Sequence, residues 1–398
     1  MSSPKRPRLI IPRSSEDDYS SEAIAARREL CTSLTGRPLE HLAGKPVPLD
    51  QARGNVENLV GYAQVPVGLA GPLVVDTSQG VREVCVPMAT TEGAMVASYS
   101  RGMKAMNAGT PARARVVQER LSQHPVLVYR SASDAVDAAR VARELVPRMR
   151  ELTRGITSHG KLLDVVPEPI GRRLILRLGF ETADAIGINM AAHAAELASN
   201  LLAEETDPTE RYVHGEDVEK RANASSFLTG RGRSVVCDVT IPASELRAIL
   251  RVAPADLVRI HRTYQVGFAR LSTENQLVQS ANGLAAVMIA CGQDVAYLTE
   301  SATGLLDFEE TDAGDLYASA YLPCLLVGTV GGGSGQGTAA ECLDLLGVRG
   351  KGGANPFAEI LAATILAGDL SLLASFCTHE FVAAHEKLGR NRPSGSDT

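Results

Sequence analysis

The chain has 398 residues, of which 44% are hydrophobic and 22% charged, and its formal net charge is −6. This length allows two or three domains of roughly 150 residues each, and the acidic balance argues against a nucleic-acid-binding surface, which needs a basic excess. The seven cysteines are scattered without a CxxC pair, a pattern typical of reduced thiols in the cytosol. We therefore expect a cytoplasmic protein that binds no metal and does not span a membrane.

The N-terminal residues are predicted to form a leader followed by helices. Residues 1–19 hold only three consecutive apolar residues, so we expect a disordered leader and not a secretory signal. Residues 20–56 are predicted to be helical, with a break at the sequence TGRP. Residues 57–75 carry Gly or Pro every few positions, which favours an irregular extended segment. Beyond Gly93, small and apolar residues recur at helical spacing, which predicts a helix.

From residue 124 the pattern changes to strand, helix and strand. The sequences HPVLVYR and RRLILRLGFET are typical of strands. Between them lies an amphipathic helical pattern, which we expect to begin at an N-cap on Ser133 or Asp134. Elements of this size suggest a small α+β unit inserted into a larger domain.

The remaining elements are predicted to be mostly helical. A long helix is expected over 184–205, a strand over 233–242, and apolar helices over 280–301 and 358–388. A glycine-rich turn precedes a further helix within 328–347.

Two glycine-containing segments are candidates for a ligand site. In GTVGGG, Gly331, Gly332 and Gly333 would let backbone N–H groups approach a phosphate at the start of the next helix, although a merely flexible loop is an equal alternative. In DAIGINM, Asp184 lies at a predicted helix start and Gly187 follows one turn later. On this segment alone, a plain N-cap with tight helix packing is the better interpretation.

Several ionisable residues lie in unusual surroundings. Glu92 is the only charged residue between Glu83 and Arg101, and a carboxylate is costly to bury without a partner. Asp294 lies between two apolar runs. Taken alone, Glu92 is a helix-start residue favoured by the dipole, while Lys220 and His385 are best explained as a solvated loop lysine and a surface histidine.

Taken together, the motifs have a more specific interpretation. The segments ENLVGYAQVPVGLAGPL, PMATTEGAMVASYSRGMKAM, DAIGINM, GRGRSVVCDVTIP, IACGQD, GTVGGG and AGDLSLLAS occur in this order. This order and spacing closely resemble the catalytic domain of 3-hydroxy-3-methylglutaryl-CoA (HMG-CoA) reductases, nearer the eukaryotic and archaeal class and without a membrane anchor. The resemblance extends from about residue 50 to Arg390.

The resemblance implies an α+β fold, with a large domain around a long central helix and an inserted small ferredoxin-like domain. It places the large, CoA-binding domain at 57–123 and 222–390 and the small NADP-binding domain at 124–213. A catalytic loop at 214–221 joins them, and the tail 391–398 is expected to be mobile. In this family the active site lies between two subunits, which implies a homodimer or a higher homo-oligomer.

The resemblance also implies a reaction, in which two NADPH reduce HMG-CoA through mevaldyl-CoA and mevaldehyde to mevalonate and CoA. Its four catalytic positions match Glu92, Lys220, Asp294 and His385. Lys220 would stabilise the developing oxyanion, and Glu92, protonated through a raised pKa, would donate to the aldehyde oxygen. Asp294 would lie between these two residues. His385 would protonate the CoA thiolate from a flap that closes over the site.

The ligand-binding positions follow from the same resemblance. Ser98 and Arg101 match residues that contact CoA, and Glu219, Arg221 and Asn282 match residues around the acyl group. The nicotinamide-cofactor positions are Asp184, Gly187, Ile188, Asn189, Gly331, Gly332 and Gly333. The NADPH preference is inherited, and NADH is not excluded, since only Lys161 and His159 are available to contact a 2′-phosphate.

The sequence departs from the family pattern around the acyl pocket. The family aspartate and lysine that flank the catalytic lysine are Glu219 and Arg221 here, a histidine is Gln279, and an arginine is Gln123, with Arg120 close by. A further lysine is missing, and Arg262 is the nearest cation. Arg and Lys are not freely exchangeable, so these changes predict weaker binding of the HMG carboxylate or a different acyl group. The alternatives to an HMG-CoA reductase are therefore a related acyl-CoA reductase, an inhibitor-tolerant paralogue, or a non-catalytic CoA-binding homologue.

Overall fold

The computed structural model describes residues 9–378, and all contacts discussed below lie in this range. These residues form a mixed α/β architecture in which helices pack on a largely antiparallel sheet. The helices are α1 (Ser21–Thr35), α2 (Met95–Met106), α3 (Ala132–Glu144), α4 (Val146–Ile156), α5 (Ile188–Thr206), α6 (Ala224–Thr229), α7 (Ala243–Leu250), α8 (Pro254–Leu271), α9 (Ser280–Ala290), α10 (Leu298–Ser301), α11 (Gly337–Leu345) and α12 (Ala354–Cys377). The strands are β1 (Val67–Thr77), β2 (Gly80–Ala89), β3 (Ala112–Gln123), β4 (Val126–Val128), β5 (Lys161–Ile170), β6 (Arg173–Glu181), β7 (Glu210–Tyr212), β8 (Gly232–Ile241), β9 (Leu305–Glu310) and β10 (Leu316–Leu325).

The sheet is continuous because the long strand β3 belongs to both of its halves. Its order is β7-β4-β6-β3-β8-β10-β9, with β1 parallel to β3, β2 antiparallel to β1, and β5 antiparallel to β6. Residues 113–120 of β3 pair with β8, and residues 121–123 pair with β6. Strands β4–β7 and helices α3–α5 fall within the range 124–213. Their status as a separate inserted domain stays a prediction.

Two hairpins were not predicted from the sequence. The irregular segment expected over 57–75 ends in β1, which pairs with β2, and the helical C-terminal part contains the β9–β10 hairpin. In β1 the sequence Gly71-Pro72 coincides with a register shift, and such an irregularity interrupts the alternation by which strands are recognised.

The single helix expected between the strands of the 124–180 segment is two helices. Pro147 lies in the first turn of α4, where its missing N–H is tolerated but would interrupt a continuous helix. The N-cap of α3 is Ser131, and the predicted Ser133 or Asp134 is wrong. Ser131 accepts from the N–H of Asp134, whose carboxylate accepts from the N–H of Ser131. This reciprocal capping box provides acceptors for two backbone N–H groups that the helix itself leaves unpaired.

The core is centred on α12, which packs against α2, α8, α9 and the sheet. By length and composition it could cross a membrane, but 83% of its most apolar window is buried inside the protein. Its contact with α2 is close, because a Cβ atom at Gly102 would lie 1.8 Å from the carbonyl oxygen of Ala367. A residue larger than glycine at position 102 would therefore push the two helix backbones apart.

The buried carboxylate of Asp369 connects α12 to α9. Its oxygens accept from the backbone N–H groups of Val278 (3.0 Å) and Gln279 (2.9 Å), just before α9 begins. Burial raises the pKa of Asp369 to about 7, although these two hydrogen bonds oppose the shift. The start of α9 is therefore fixed by a group that titrates close to neutral pH.

The close contact of α2 and α12 gives a first prediction. Gly102→Ala should lower the free energy of unfolding by roughly 3 kcal/mol or more, because overpacking forces the helix backbones apart. Gly155→Ala is the matched control, since no atom lies within 4 Å of its Cβ position in α4. The control should raise stability by about 0.5–1 kcal/mol. Urea unfolding followed by circular dichroism measures both, and equal effects at the two sites would contradict the packing.

The titration of Asp369 gives a second prediction. Its folded-state pKa of about 7 lies above the unfolded value of 3.8, so the native state binds the proton more tightly between these pH values. The contribution of this group to stability is thus fully present below pH ~4 and falls as the pH rises to ~7, by about 4 kcal/mol for three pKa units. Urea unfolding of the natural protein and of Asp369→Asn from pH 5 to 8 should give a difference that changes across this window. A pH-independent difference would contradict a titrating Asp369.

Candidate active site

Lys220 and Asp294 form an ion pair at the surface of the chain. The Nζ of Lys220 lies 3.0 Å from Oδ2 of Asp294, and both side chains are about half exposed (43% and 46%). The same ammonium lies 4.9 Å above the centre of the Tyr297 ring. Asp294 also accepts from the N–H of Ala296 at 3.0 Å. The arrangement holds a cation at a fixed place while leaving it accessible to a ligand.

The backbone of Lys220 is held as well as its side chain. The residue adopts a left-handed conformation with φ = 56°, which is uncommon for a residue with a Cβ atom. Its N–H donates to Oε1 of Glu300, a buried carboxylate in α10. The loop of Lys220 is thus anchored from the interior.

Glu92 lies in the turn between β2 and α2, where it is exposed. Its neutral neighbours in sequence do not enclose it in the single chain, because Met88, Met95 and Tyr99 are buried in the core. The Glu92 N–H donates to Oγ1 of Thr90 at 2.9 Å. Its carboxylate is approached by Nδ2 of Asn282, in the first turn of α9, at 3.5 Å.

The two halves of the predicted catalytic set lie at opposite ends of α9. Asn282 and Glu92 are at its N-terminal end, whereas Asp294 and Lys220 follow its C-terminal end. A helix of 11 residues is about 16 Å long. Within residues 9–378 no hydrogen bond or ion pair joins Glu92 to either Lys220 or Asp294. His385 lies outside the described residues.

Two of the residues that depart from the family pattern, Glu219 and Gln123, contact each other. Glu219 accepts from Nε2 of Gln123 at 2.7 Å and from the Tyr297 hydroxyl at 3.4 Å. Burial, reinforced by the Glu219 carboxylate, raises the pKa of Tyr297, so this hydroxyl remains a donor. Arg221 instead pairs with Asp217 at 3.0 Å and is largely exposed. Of the predicted acyl-pocket residues, Glu219 is therefore a carboxylate with two donors beside it, while Arg221 is paired with Asp217.

Asp184 joins the two predicted cofactor segments to α12. Its carboxylate accepts from the N–H groups of Gly352 (2.8 Å) and Ala354 (3.2 Å), and its carbonyl accepts from Thr329 (2.8 Å) and Val330 (3.2 Å). It does not cap α5, whose N-cap is Gly187 with φ = 82°. The interpretation of Asp184 as a plain N-cap of this helix is therefore wrong, because α5 begins after Gly187, whose backbone is left-handed.

The two segments present glycine backbone beside the start of α5, which includes Ile188 and Asn189. A Cβ atom at Gly328 would lie 2.8 Å from the backbone nitrogen of Ile186, so the segments pack directly on each other. Gly331 and Gly332 have open space at their Cβ positions, whereas at Gly333 a Cβ would lie 2.7 Å from the carbonyl oxygen of Gly292. Open glycine backbone next to a helix N-terminus fits the pyrophosphate of a dinucleotide.

Ser98 and Arg101 both contact Ser371 of α12. The Ser98 hydroxyl lies 3.1 Å from the Ser371 hydroxyl, and Arg101 donates from Nε to that hydroxyl (3.0 Å) and from Nη2 to the Ser371 carbonyl (2.6 Å). The predicted CoA-contacting residues are therefore positioned by the α2–α12 interface. Among the described residues no group of three or more His, Cys, Asp or Glu is arranged to hold a metal ion.

Fold and site together describe a dinucleotide-dependent enzyme with a fixed surface lysine, and comparison with known proteins identifies the family. A model of the hydroxymethylglutaryl-coenzyme A reductase family matches residues 23–390. The chain belongs to this family.

Sequence relatives cover nearly the whole chain. It is 35% identical over 373 residues to the 3-hydroxy-3-methylglutaryl-coenzyme A reductase of Methanothermobacter thermautotrophicus, covering 93% of this chain and 94% of the relative. It is 39% identical over 383 residues to that of Halobacterium salinarum, with 94% of each chain covered. Among solved structures, the class II reductase of Streptococcus pneumoniae bound to NADPH superposes with a TM-score of 0.74 at 21% identity, covering 91% of this chain and 100% of the other. The last likeness bears on the fold alone.

The contacts of Asp184 give a third prediction. Asp184→Ala should lower the free energy of unfolding of the ligand-free protein by about 1–2 kcal/mol, because two N–H groups at the start of α12 lose their acceptor. Asp312→Ala, in an exposed turn, is the control and should change it by less than about 0.5 kcal/mol. Chemical denaturation measures both variants. An unchanged stability in Asp184→Ala would contradict a structural role for this carboxylate.

Proposed function

We propose that this chain is an active HMG-CoA reductase, which converts HMG-CoA to mevalonate and CoA in the mevalonate pathway of the cytoplasm. The family match over 23–390 carries this proposal. It is supported by Lys220, which the ion pair with Asp294 and the bond to Glu300 hold at an accessible position.

Lys220 stabilises negative charge on the substrate. NADPH supplies the hydride for each of the two reductions. As the thioester carbonyl is reduced, its oxygen gains charge, and the ammonium of Lys220 compensates that charge without having to reorganise. Asp294, 3.0 Å away, keeps the ammonium in place between the thioester and aldehyde stages.

Glu92 delivers the proton that the aldehyde oxygen takes up in the second reduction. Asn282, 3.5 Å away, holds the carboxyl group near the start of α9. His385, beyond the described residues, protonates the departing CoA thiolate. Ser98 and Arg101 follow Glu92 in sequence and lie on α2, where they contact the CoA portion of the substrate.

A complete site is formed between two subunits. Glu92 and Asn282 at one end of α9 of one chain meet Lys220 and Asp294 at the other end of α9 of a second copy. The separation of these groups within one chain, by about the 16 Å length of α9, supports this arrangement. Such a two-fold interface generates two equivalent sites per dimer.

The acyl pocket favours one alternative, a reductase of a related acyl-CoA. Glu219 is bonded to Gln123 and Arg221 is paired with Asp217, so fewer free cations face a substrate carboxylate. Activity should be compared on HMG-CoA and on CoA thioesters that lack a free carboxylate, by following NADPH oxidation at 340 nm.

Oxidation with HMG-CoA, abolished in Glu92→Gln, is the expected result. Oxidation only with the other thioesters would favour the related reductase. Binding of CoA without turnover of any thioester would favour a non-catalytic homologue and contradict the proposal.

Mixing inactive variants gives a fourth prediction. Glu92→Gln and Lys220→Met homodimers should each lose activity by 100-fold or more. After the subunits are exchanged at random, half of the dimers are mixed, and each mixed dimer holds one undamaged site. Activity should therefore return to about one quarter of the natural level. If both residues act within the same chain, every site stays damaged and no activity returns.

A further inference from the structure

We propose that the segment Gly230-Arg231-Gly232-Arg233 positions both functional parts of the site, with Arg231 holding the lysine loop through Glu300 and Arg233 holding the two cofactor segments. The inference rests on the proposed function of Lys220 and of those segments. Neither arginine contacts substrate or cofactor in this scheme, so both are positioning residues.

The segment brings two cations into the interior at the start of β8. Arg231 and Arg233 are 0% and 2% exposed, which is rare for arginine unless it is paired. Gly230 and Gly232 have positive φ values of 74° and 79°, and a Cβ atom at Gly232 would lie 2.4 Å from the Leu325 carbonyl oxygen. The glycines thus let the backbone turn closely against β10 while the arginines on either side reach inward.

Arg231 acts on Lys220 through one intermediate side chain. Its Nη1 lies 2.7 Å and 2.6 Å from the two oxygens of Glu300, and Glu300 accepts the N–H of Lys220. Burial raises the pKa of Glu300, and Arg231 beside it opposes that shift. Arg231 therefore favours the charged form of Glu300, which accepts the N–H of Lys220. The left-handed backbone of Lys220 costs about 1–2 kcal/mol, and this hydrogen bond helps to hold it.

The geometry of this pair suggests that it does more than stabilise the fold. Nε and Nη2 of Arg231 are buried without a hydrogen-bond partner, although Nη2 lies 3.6 Å from Oε1 of Glu219. A buried pair with donors left over adds little stability compared with apolar residues of the same volume. The pair is explained if it fixes the lysine loop, where a displacement of about 1 Å reduces the rate about 100-fold.

Arg233 connects three segments around the cofactor site. Nη2 donates to the carbonyl of Ala183, Nη1 to the carbonyl of Val327 (2.7 Å), and Nε to Oδ1 of Asn355 (2.8 Å). Ala183 and Val327 directly precede Asp184 and Gly328, which begin the two cofactor segments. A planar guanidinium can reach three acceptors in fixed directions, whereas a lysine ammonium cannot reproduce that fork.

The fifth prediction separates the two functions by their kinetic parameters. Arg233→Lys should raise the Kd of NADPH, measured by fluorescence titration of the protein without substrate, about 10-fold, with kcat within about twofold of the natural value. For Arg231, two double variants are compared, Arg231→Met/Glu300→Leu and Arg231→Met/Glu300→Gln. Both remove the charged pair, and only the second keeps an acceptor for the Lys220 N–H.

The leucine double variant should fold with a similar melting temperature and bind NADPH normally, while kcat falls about 100-fold. The glutamine double variant should recover at least about 10-fold of that loss. Equal kcat in the two double variants, or a change in NADPH affinity in both the Arg231 and Arg233 variants, would overturn the proposal. If the natural protein does not oxidise NADPH with HMG-CoA, the proposed function fails, yet the NADPH titration of Arg233→Lys still tests the role of Arg233.

Discussion

The position of α12 determines the position of the site, because several of its polar groups hold other elements. Asp184 binds its first N–H groups, Asn355 accepts from Arg233, and Asp369 holds the start of α9. Ser371 contacts both Ser98 and Arg101. Most of the helix is apolar and buried, and its buried Glu359 accepts from Ser78 and Val116, because an unsatisfied polar group there would be costly. The same contacts that remove this cost align the predicted cofactor segments, α9 and the residues of α2 that are predicted to contact CoA.

The second constraint is the length of α9. Its two ends carry different chemistry, an acid with its amide neighbour at one end and a cation with its carboxylate at the other. A rigid helix of this length keeps the two groups apart within one chain. In the proposed function, proton donation and charge stabilisation on one carbonyl oxygen therefore require two chains, which would connect assembly directly to catalysis.

Sequence reasoning recovered the helices with clear periodicity, α2, α5 and α12, but missed the hairpins β1–β2 and β9–β10, where glycine, proline and irregular pairing obscure the alternation. The pairs Lys220–Asp294 and Glu92–Asn282 connect distant parts of the chain, so no local pattern could indicate them. The family resemblance alone placed these residues in one site. The exposure of Glu92 was not predicted, since neutral neighbours in sequence do not reveal which way the chain turns. The sequence analysis missed Arg231, Arg233 and Glu300, because a buried charge cannot be told from a surface charge until the fold is known. It missed Tyr297 as well. The glycines flanking both arginines were the only available signal.

In the proposed reaction one site performs two successive hydride transfers, first to the thioester and then to the aldehyde. The most direct measurement is the ratio of NADPH oxidised to CoA thiol released at complete conversion of a limiting amount of HMG-CoA, with the acyl product identified by mass spectrometry. The expected ratio is two NADPH oxidised per CoA released, with mevalonate as the product. One NADPH per CoA, with an aldehyde as the product, would contradict it.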